Sequence, residues 1–330
     1  MTHSLFTFRK LLFTALTIST YAGISSAQAQ MMPPATPSQL VLPANDFKTD
    51  FIWETNALNN QFEAHAALLI PVKLPNCPKQ FYMQFDTGVP QSILYAERIS
   101  AIKTKYPASV AKEDSTQKLI NQQITIAGKN ILAKEIVLKK YSGKTIDWKN
   151  KNSINVIGTI GTDFIENRTI VFNYPGKKIW LTSEIPNQLK AKLTLSKFML
   201  VSNSILLPVE IHKKRVMLYF DTGSSAYELL TNKATALALA TADAKPVQQQ
   251  VKSWNSMLTA NIYTTGDSII IASQKLPIKR VTYMDGVSNS QIDQMMKMGM
   301  GGMTGNKLFI NHILVIDARN KQFGITTSTN

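Results

Sequence analysis

The chain has 330 residues, 36 Lys and Arg against 21 Asp and Glu, four His and one Cys, and 44% of it is hydrophobic. That is too apolar for a disordered chain and long enough for two domains. The lone Cys77 excludes disulfide stapling and a Cys-rich zinc site, and His3, His65, His212 and His312 lack ligand-like spacing, so no metal or other cofactor is expected.

In chain order, Arg9 and Lys10 precede an apolar run from Leu11 to Ile24, and Ala27-Gln28-Ala29 forms a small-x-small cleavage site. Residues 1–29 therefore read as a signal peptide, with Gln30 as the mature N-terminus. The run falls short of the roughly 18–20 residues a membrane span needs, so no stable membrane insertion is expected. One Cys in about 300 exported residues suits a bacterial periplasm or exterior. Without the signal the net charge falls from +15 to +13. The lysines are scattered, with no basic helix or aromatic-interleaved motif, which favours a solvated basic surface over a nucleic-acid site.

After a Pro-rich lead-in (30–65) the chain repeats itself. Leu68–Leu74 returns as Ile205–Ile211, and each is followed by Phe-Asp-Thr-Gly, at Phe85–Gly88 and Phe220–Gly223. Ile126–Ile131 returns as Ile271–Leu276, and Gly158–Phe164 as Gly302–Leu308. Strands are expected before each triplet, at Gln123–Ile126 with Ala133–Leu138 and Ser268–Ile271 with Lys279–Tyr283, and in the closing pairs Thr169–Asn173 with Lys178–Leu181 and Ile313–Asp317 with Gln322–Ile325. The reading is two β-lobes, 66–183 and 201–330, joined by a crossover at 184–200. Short helices are expected near Tyr95–Lys103, Asn232–Ala240 and Gln291–Met298.

One Asp-Thr-Gly is weak, since Asp and Gly make turns routinely. Two at equivalent places in a duplicated module are strong. With these turns and the downstream Val156-Ile157-Gly158, Ile160-Gly161 and Gly302–Gly305 segments, the chain resembles the aspartic proteases, both the two-lobed pepsin type and the retroviral dimer, over nearly all of 65–326. The resemblance implies an all-β fold of two pepsin-like lobes about a pseudo-twofold axis, few helices, and a monomer acting on a peptide or protein. It makes Asp86 and Asp221 the catalytic pair, two carboxylates sharing one proton. It implies support from Thr87, Gly88, Thr222, Gly223 and Ser224, with the Thr hydroxyls reaching across to the opposite turn. In copy two Ser224 follows the triplet. In copy one Val89 does, and it donates no hydroxyl, so Asp86 is expected to carry the shared proton. A non-catalytic scaffold that binds a peptide or envelope component is the alternative.

Other motifs are weaker. Gly143-Lys144-Thr145 lacks the earlier Gly of a phosphate loop. The tract Met295, Met296, Met298, Met300 and Met303 suits either soft-metal binding or an adaptable groove lining, and the second is favoured. Asp86 to Ile126 spans 40 positions and Asp221 to Ile271 spans 50, so copy two carries ten extra residues where a flap over the cleft would lie. Val247–Gly266 reads as that hairpin, turning at Asn255-Ser256 with Trp254 near its tip as the flap candidate. The competing reading packs Trp254 on its own lobe. The copy-one counterpart, Ser109–Ile120, is expected to be a short exposed loop.

Overall fold

The structure, a computed structural model, describes residues 38–58, 61–141, 143, 145–253, 256–288 and 299–327. The fold is all-β, two lobes joined by a common sheet, and its α-helices among the described residues are Ala96–Lys105, Asn187–Lys190 and Lys233–Leu239. The expected helix at Gln291–Met298 lies outside the described residues. Among them no helix is long and apolar enough to cross a membrane.

Alternation builds the lobes. In Ser204–Ile211 the side chains of Ile205, Leu207, Val209 and Ile211 enter the core while the residues between them stay half-buried, as the two-residue period of a strand requires. This strand turns back into Lys214–Phe220 through His212 and Lys213, at φ 49° and 61°. Ala127-Gly128 (49° and 75°) and Ala272-Ser273 (47° and 61°) turn later hairpins in the same way. Two successive positive φ values match the twist of the flanking strands.

Each triplet is set at the end of a strand inside a three-strand arrangement. Phe81–Phe85 runs parallel to Val156–Ile160, which pairs on its other side, antiparallel, with Ile93–Tyr95. In the second lobe Lys214–Phe220 runs parallel to Met300–Thr304, which meets Leu229–Leu230. The last bond of each parallel ladder fixes the acid, Asp86 N–H to the Ile160 carbonyl and Asp221 N–H to the Thr304 carbonyl, both at 2.9 Å.

The closing strand pairs of the two copies do not stay within their own lobes. They merge into one six-stranded sheet, in the order 196–197, 322–327, 312–317, 169–173, 178–182, 47–50. At its centre Val171 pairs with Val315, 144 positions apart, the offset that also relates Gly161 to Gly305. Equivalent residues pair with each other where a twofold axis passes between them, so the axis runs through this pair. Above it Phe85, Phe172, Phe220 and Phe309 form a chain of edge-on contacts with centroids 5.5–6.1 Å apart. The residues before both acids thus belong to one continuous core.

One expected pairing needs correction, and two segments gain structure. From Leu40 on, the lead-in supplies strands to the first lobe and, as Phe47–Asp50, an edge of the central sheet. Its alternation at Phe47 and Thr49, both buried, is too short to register as a strand in sequence. Ser268–Ile271 pairs with Gln274–Pro277, because the turn is two residues long, and Arg280–Asp285 pairs instead with Ser256–Thr264. The 184–200 crossover contains the helix Asn187–Lys190 and the edge strand Ser196–Lys197 of the central sheet.

Candidate active site

Asp86 and Asp221 leave the parallel strands at the lobe boundary and are both buried. Their carboxyls meet across the axis, each lying against the glycine of the opposite turn. Their proximity explains the glycines. A Cβ on Gly88 would sit 2.7 Å from Oδ1 of Asp221, and one on Gly223 would fall within the contact radius of the Asp86 carboxylate. Each glycine is the floor against which the opposite carboxylate lies.

The threonines lock the turns reciprocally. Thr87 N–H donates to the Thr222 hydroxyl and Thr222 N–H to the Thr87 hydroxyl, both at 2.9 Å. Each hydroxyl in turn donates to the carbonyl before the opposite acid, Thr87 to Phe220 at 2.8 Å and Thr222 to Phe85 at 2.9 Å. Four bonds buried between the lobes leave the two acids little freedom to separate.

The two carboxylates have different surroundings. Oδ1 of Asp221 accepts the N–H groups of Gly223 (2.8 Å) and Ser224 (3.3 Å), and Oδ2 accepts the Ser224 hydroxyl at 2.9 Å. Asp86 accepts the Gly88 N–H at 2.9 Å, and the residue in the place of Ser224 is the buried Val89. Burial pushes the Asp221 carboxyl up from its usual range, opposed by the Ser224 hydroxyl, the Asp86 contact and the N–H donors.

Behind each turn a glycine approaches its backbone: Cβ atoms at Gly161 and Gly305 would meet the Val89 and Ser224 carbonyls. The residues that follow differ between lobes. In the first, the Asp163 carboxylate accepts the Ser92 N–H (2.9 Å) and hydroxyl (2.8 Å), and burial pushes its pKa up to about 6. In the second, Asn306 donates to the Thr222 carbonyl and the Ser225 hydroxyl, both at 3.0 Å, and accepts from the Tyr174 hydroxyl at 2.7 Å. Sequence reasoning missed Asp163 and Asn306, and with them Ser92, Ser225 and Tyr174. The 144-residue offset equates Thr162 with Asn306 and Asp163 with Lys307, so the signal was a mismatch inside the repeat.

The copy-two hairpin forms from Val247–Ser253 and Ser256–Thr264. Its last pair is Ser253 with Ser256, so Ser256 belongs to the strand and not to the turn expected at Asn255-Ser256; Trp254 and Asn255 lie outside the described residues. Val251, Leu258 and Ile262 pack with Tyr227, Leu230 and Met303 of the same lobe, while Met257 is exposed. In the first lobe the expected exposed loop is a tight hairpin: Glu113 bridges Leu119, and Asp114 accepts the N–H groups of Thr116 and Lys118.

No family model and no curated protein matches the chain. Among solved structures the chain is similar to an aspartic proteinase from Irpex lacteus, at 13% identity and a TM-score of 0.46, over 86% of this chain and 98% of that one.

Proposed function

We propose that the protein is an exported aspartic endopeptidase that hydrolyses peptide bonds with a water activated between Asp86 and Asp221. The observation that carries this reading is the buried carboxylate pair locked by reciprocal threonines. Asp221, with three donors, serves as the anion and takes a proton from the water. Asp86 carries the shared proton and gives it to the carbonyl oxygen as the water oxygen bonds the carbonyl carbon. The tetrahedral diol then breaks its C–N bond, the departing nitrogen takes up a proton from the pair, and one diol hydroxyl returns its proton to the pair as it becomes the new carbonyl, restoring the one-proton state. Thr87, Gly88, Thr222, Gly223 and Ser224 hold the geometry. The hairpin Val247–Thr264 is proposed as the cover of the cleft, with Trp254 in contact with substrate.

The presence of Val89 beside Asp86 favours one second reading, a scaffold that binds a peptide or envelope component without cleaving it. Mature protein is incubated with a diverse peptide library from acid to neutral pH, beside Asp86→Asn and Asp221→Asn. Cleavage in the wild type that both variants lose supports the endopeptidase. Binding without cleavage at any pH supports the scaffold. Release of residues 1–29 on export is checked by N-terminal sequencing of protein recovered from outside the cytoplasm.

A further inference from the structure

The hairpin Ile52–Leu58/Gln61–Val72 belongs to the first lobe's sheet, yet its second strand packs against the short helical turn Thr222–Ser224 of the other lobe. Near its free end Glu63 receives Lys307 Nζ at 2.5 Å and Arg280 Nη2 at 3.0 Å. Both cations belong to the second lobe. Lys307 is only 12% exposed and Glu63 20%, so water screens this contact little; removing Glu63 takes the carboxylate from Lys307, whereas removing Lys307 leaves Glu63 still paired with Arg280.

What Lys307 is attached to gives the contact its meaning. Its N–H donates to the Ser225 carbonyl at 3.0 Å, and its neighbour Asn306 holds the Thr222 carbonyl and the Ser225 hydroxyl. The turn carrying Asp221 is therefore gripped from behind by 306–307. A second path leaves the same hairpin. Trp53 stacks on Tyr174 at 6.1 Å, and the Tyr174 hydroxyl donates to Asn306. Two contacts, one ionic and one aromatic, converge on adjacent residues behind Asp221.

The twofold-related place in the first lobe is built otherwise. There Asp163 stands where Lys307 does and binds Ser92 within its own lobe. Beyond the reciprocal threonine bonds that both turns share, the residue behind the Asp86 turn contacts its own lobe, whereas Asn306 and Lys307 behind the Asp221 turn also reach partners outside theirs.

We propose that Glu63 is a positioning residue for Asp221, acting through Lys307, and that the hairpin it rides on couples the placement of the first lobe to the geometry of the second acid. This rests on the endopeptidase reading for its effect on rate, but not for its effect on structure. Holding this turn from the other lobe as well as from its own fixes Asp221 relative to Asp86, since small misplacements of reacting groups are costly in rate.

The test uses full mature protein with Glu63→Gln and, separately, Lys307→Gln. Hydrogen exchange is followed at the Gly223 and Ser224 amides, which bind Asp221, and at the Gly88 amide, which binds Asp86. The expected result in both variants is exchange at 223–224 faster by about tenfold with Gly88 unchanged, and kcat lower by about tenfold at near-constant KM. Glu63→Asp should recover part of both. Exchange at 223–224 within twofold of wild type in both variants overturns the proposal, as does equal acceleration at Gly88, which means general loosening. If the wild type cleaves nothing, the endopeptidase reading fails while the exchange measurement still decides this one. If one variant does not fold, Trp53→Phe, which thins the stacking path, is measured at the same amides.

Discussion

Ser224 donates its hydroxyl to Oδ2 of Asp221 at 2.9 Å, and the twofold-related neighbour of Asp86 is Val89, which has no hydroxyl to donate. A donor to the anion lowers a carboxyl pKa. Restoring it with Val89→Ser should make the shared proton easier to lose. The alkaline limb of cleavage is expected to move down. Rates on Val89→Ser and wild type across pH 3–8 check this, and an unchanged or higher limb would reverse the assignment of roles to the two acids.

Thr222→Val keeps the shape of the turn but strips two partners at once, since the Thr87 N–H loses its acceptor and the Phe85 carbonyl its donor. Each buried unsatisfied group costs about 1–3 kcal/mol. Urea unfolding should show a loss of roughly 2–6 kcal/mol. Thr222→Ser keeps the hydroxyl and should stay within about 1 kcal/mol of wild type. Equal losses in both variants would mean that methyl packing, not the reciprocal bonds, holds the turns.

Asp163 makes stability depend on pH. Its carboxyl titrates at about 6 in the folded chain against an ordinary 3.8, because burial penalises the anion more than Ser92 repays it. Between those values the folded state binds more protons than the unfolded one, so this group's contribution falls as pH rises from 4 to 6 and then stays level. The swing is on the order of 3 kcal/mol. Asp163→Asn should remove it. Unfolding free energies at pH 4.5 and 7 are compared in both proteins. A wild-type-minus-variant difference that does not change with pH refutes the shift.

Trp254→Ala tests the cover. If the hairpin Val247–Thr264 closes over substrate, cleavage should fall tenfold or more, an effect of about 1.4 kcal/mol on the barrier, with thermal stability almost unchanged. A large stability loss would place Trp254 in the packing of its own lobe.

The sequence by itself determined the duplication, the strands leading to each triplet and the equivalent places of the two Asp-Thr-Gly turns. Those features are local: strand alternation has a period of two, an Asp-Thr-Gly turn needs its glycine, and copies of one module carry both at fixed offsets. The ten-residue excess of the second hairpin was legible for the same reason, as a difference in length. Tertiary structure decided what joins the copies. Val171 meets Val315 across 144 residues because burying both apolar faces of the closing strands requires a common sheet, and no neighbouring residue encodes that partner. Residues 40–65 carry no counterpart in the repeat, and Leu40–Val41 and Phe47–Asp50 are too short to register alone; their partners are strands far along the chain, at sheet edges that only the folded chain provides. Glu63 carried no motif at all. Its place behind Asp221 depends on a hairpin crossing between lobes to two cations more than 200 positions away, and only the folded chain brings those charges together.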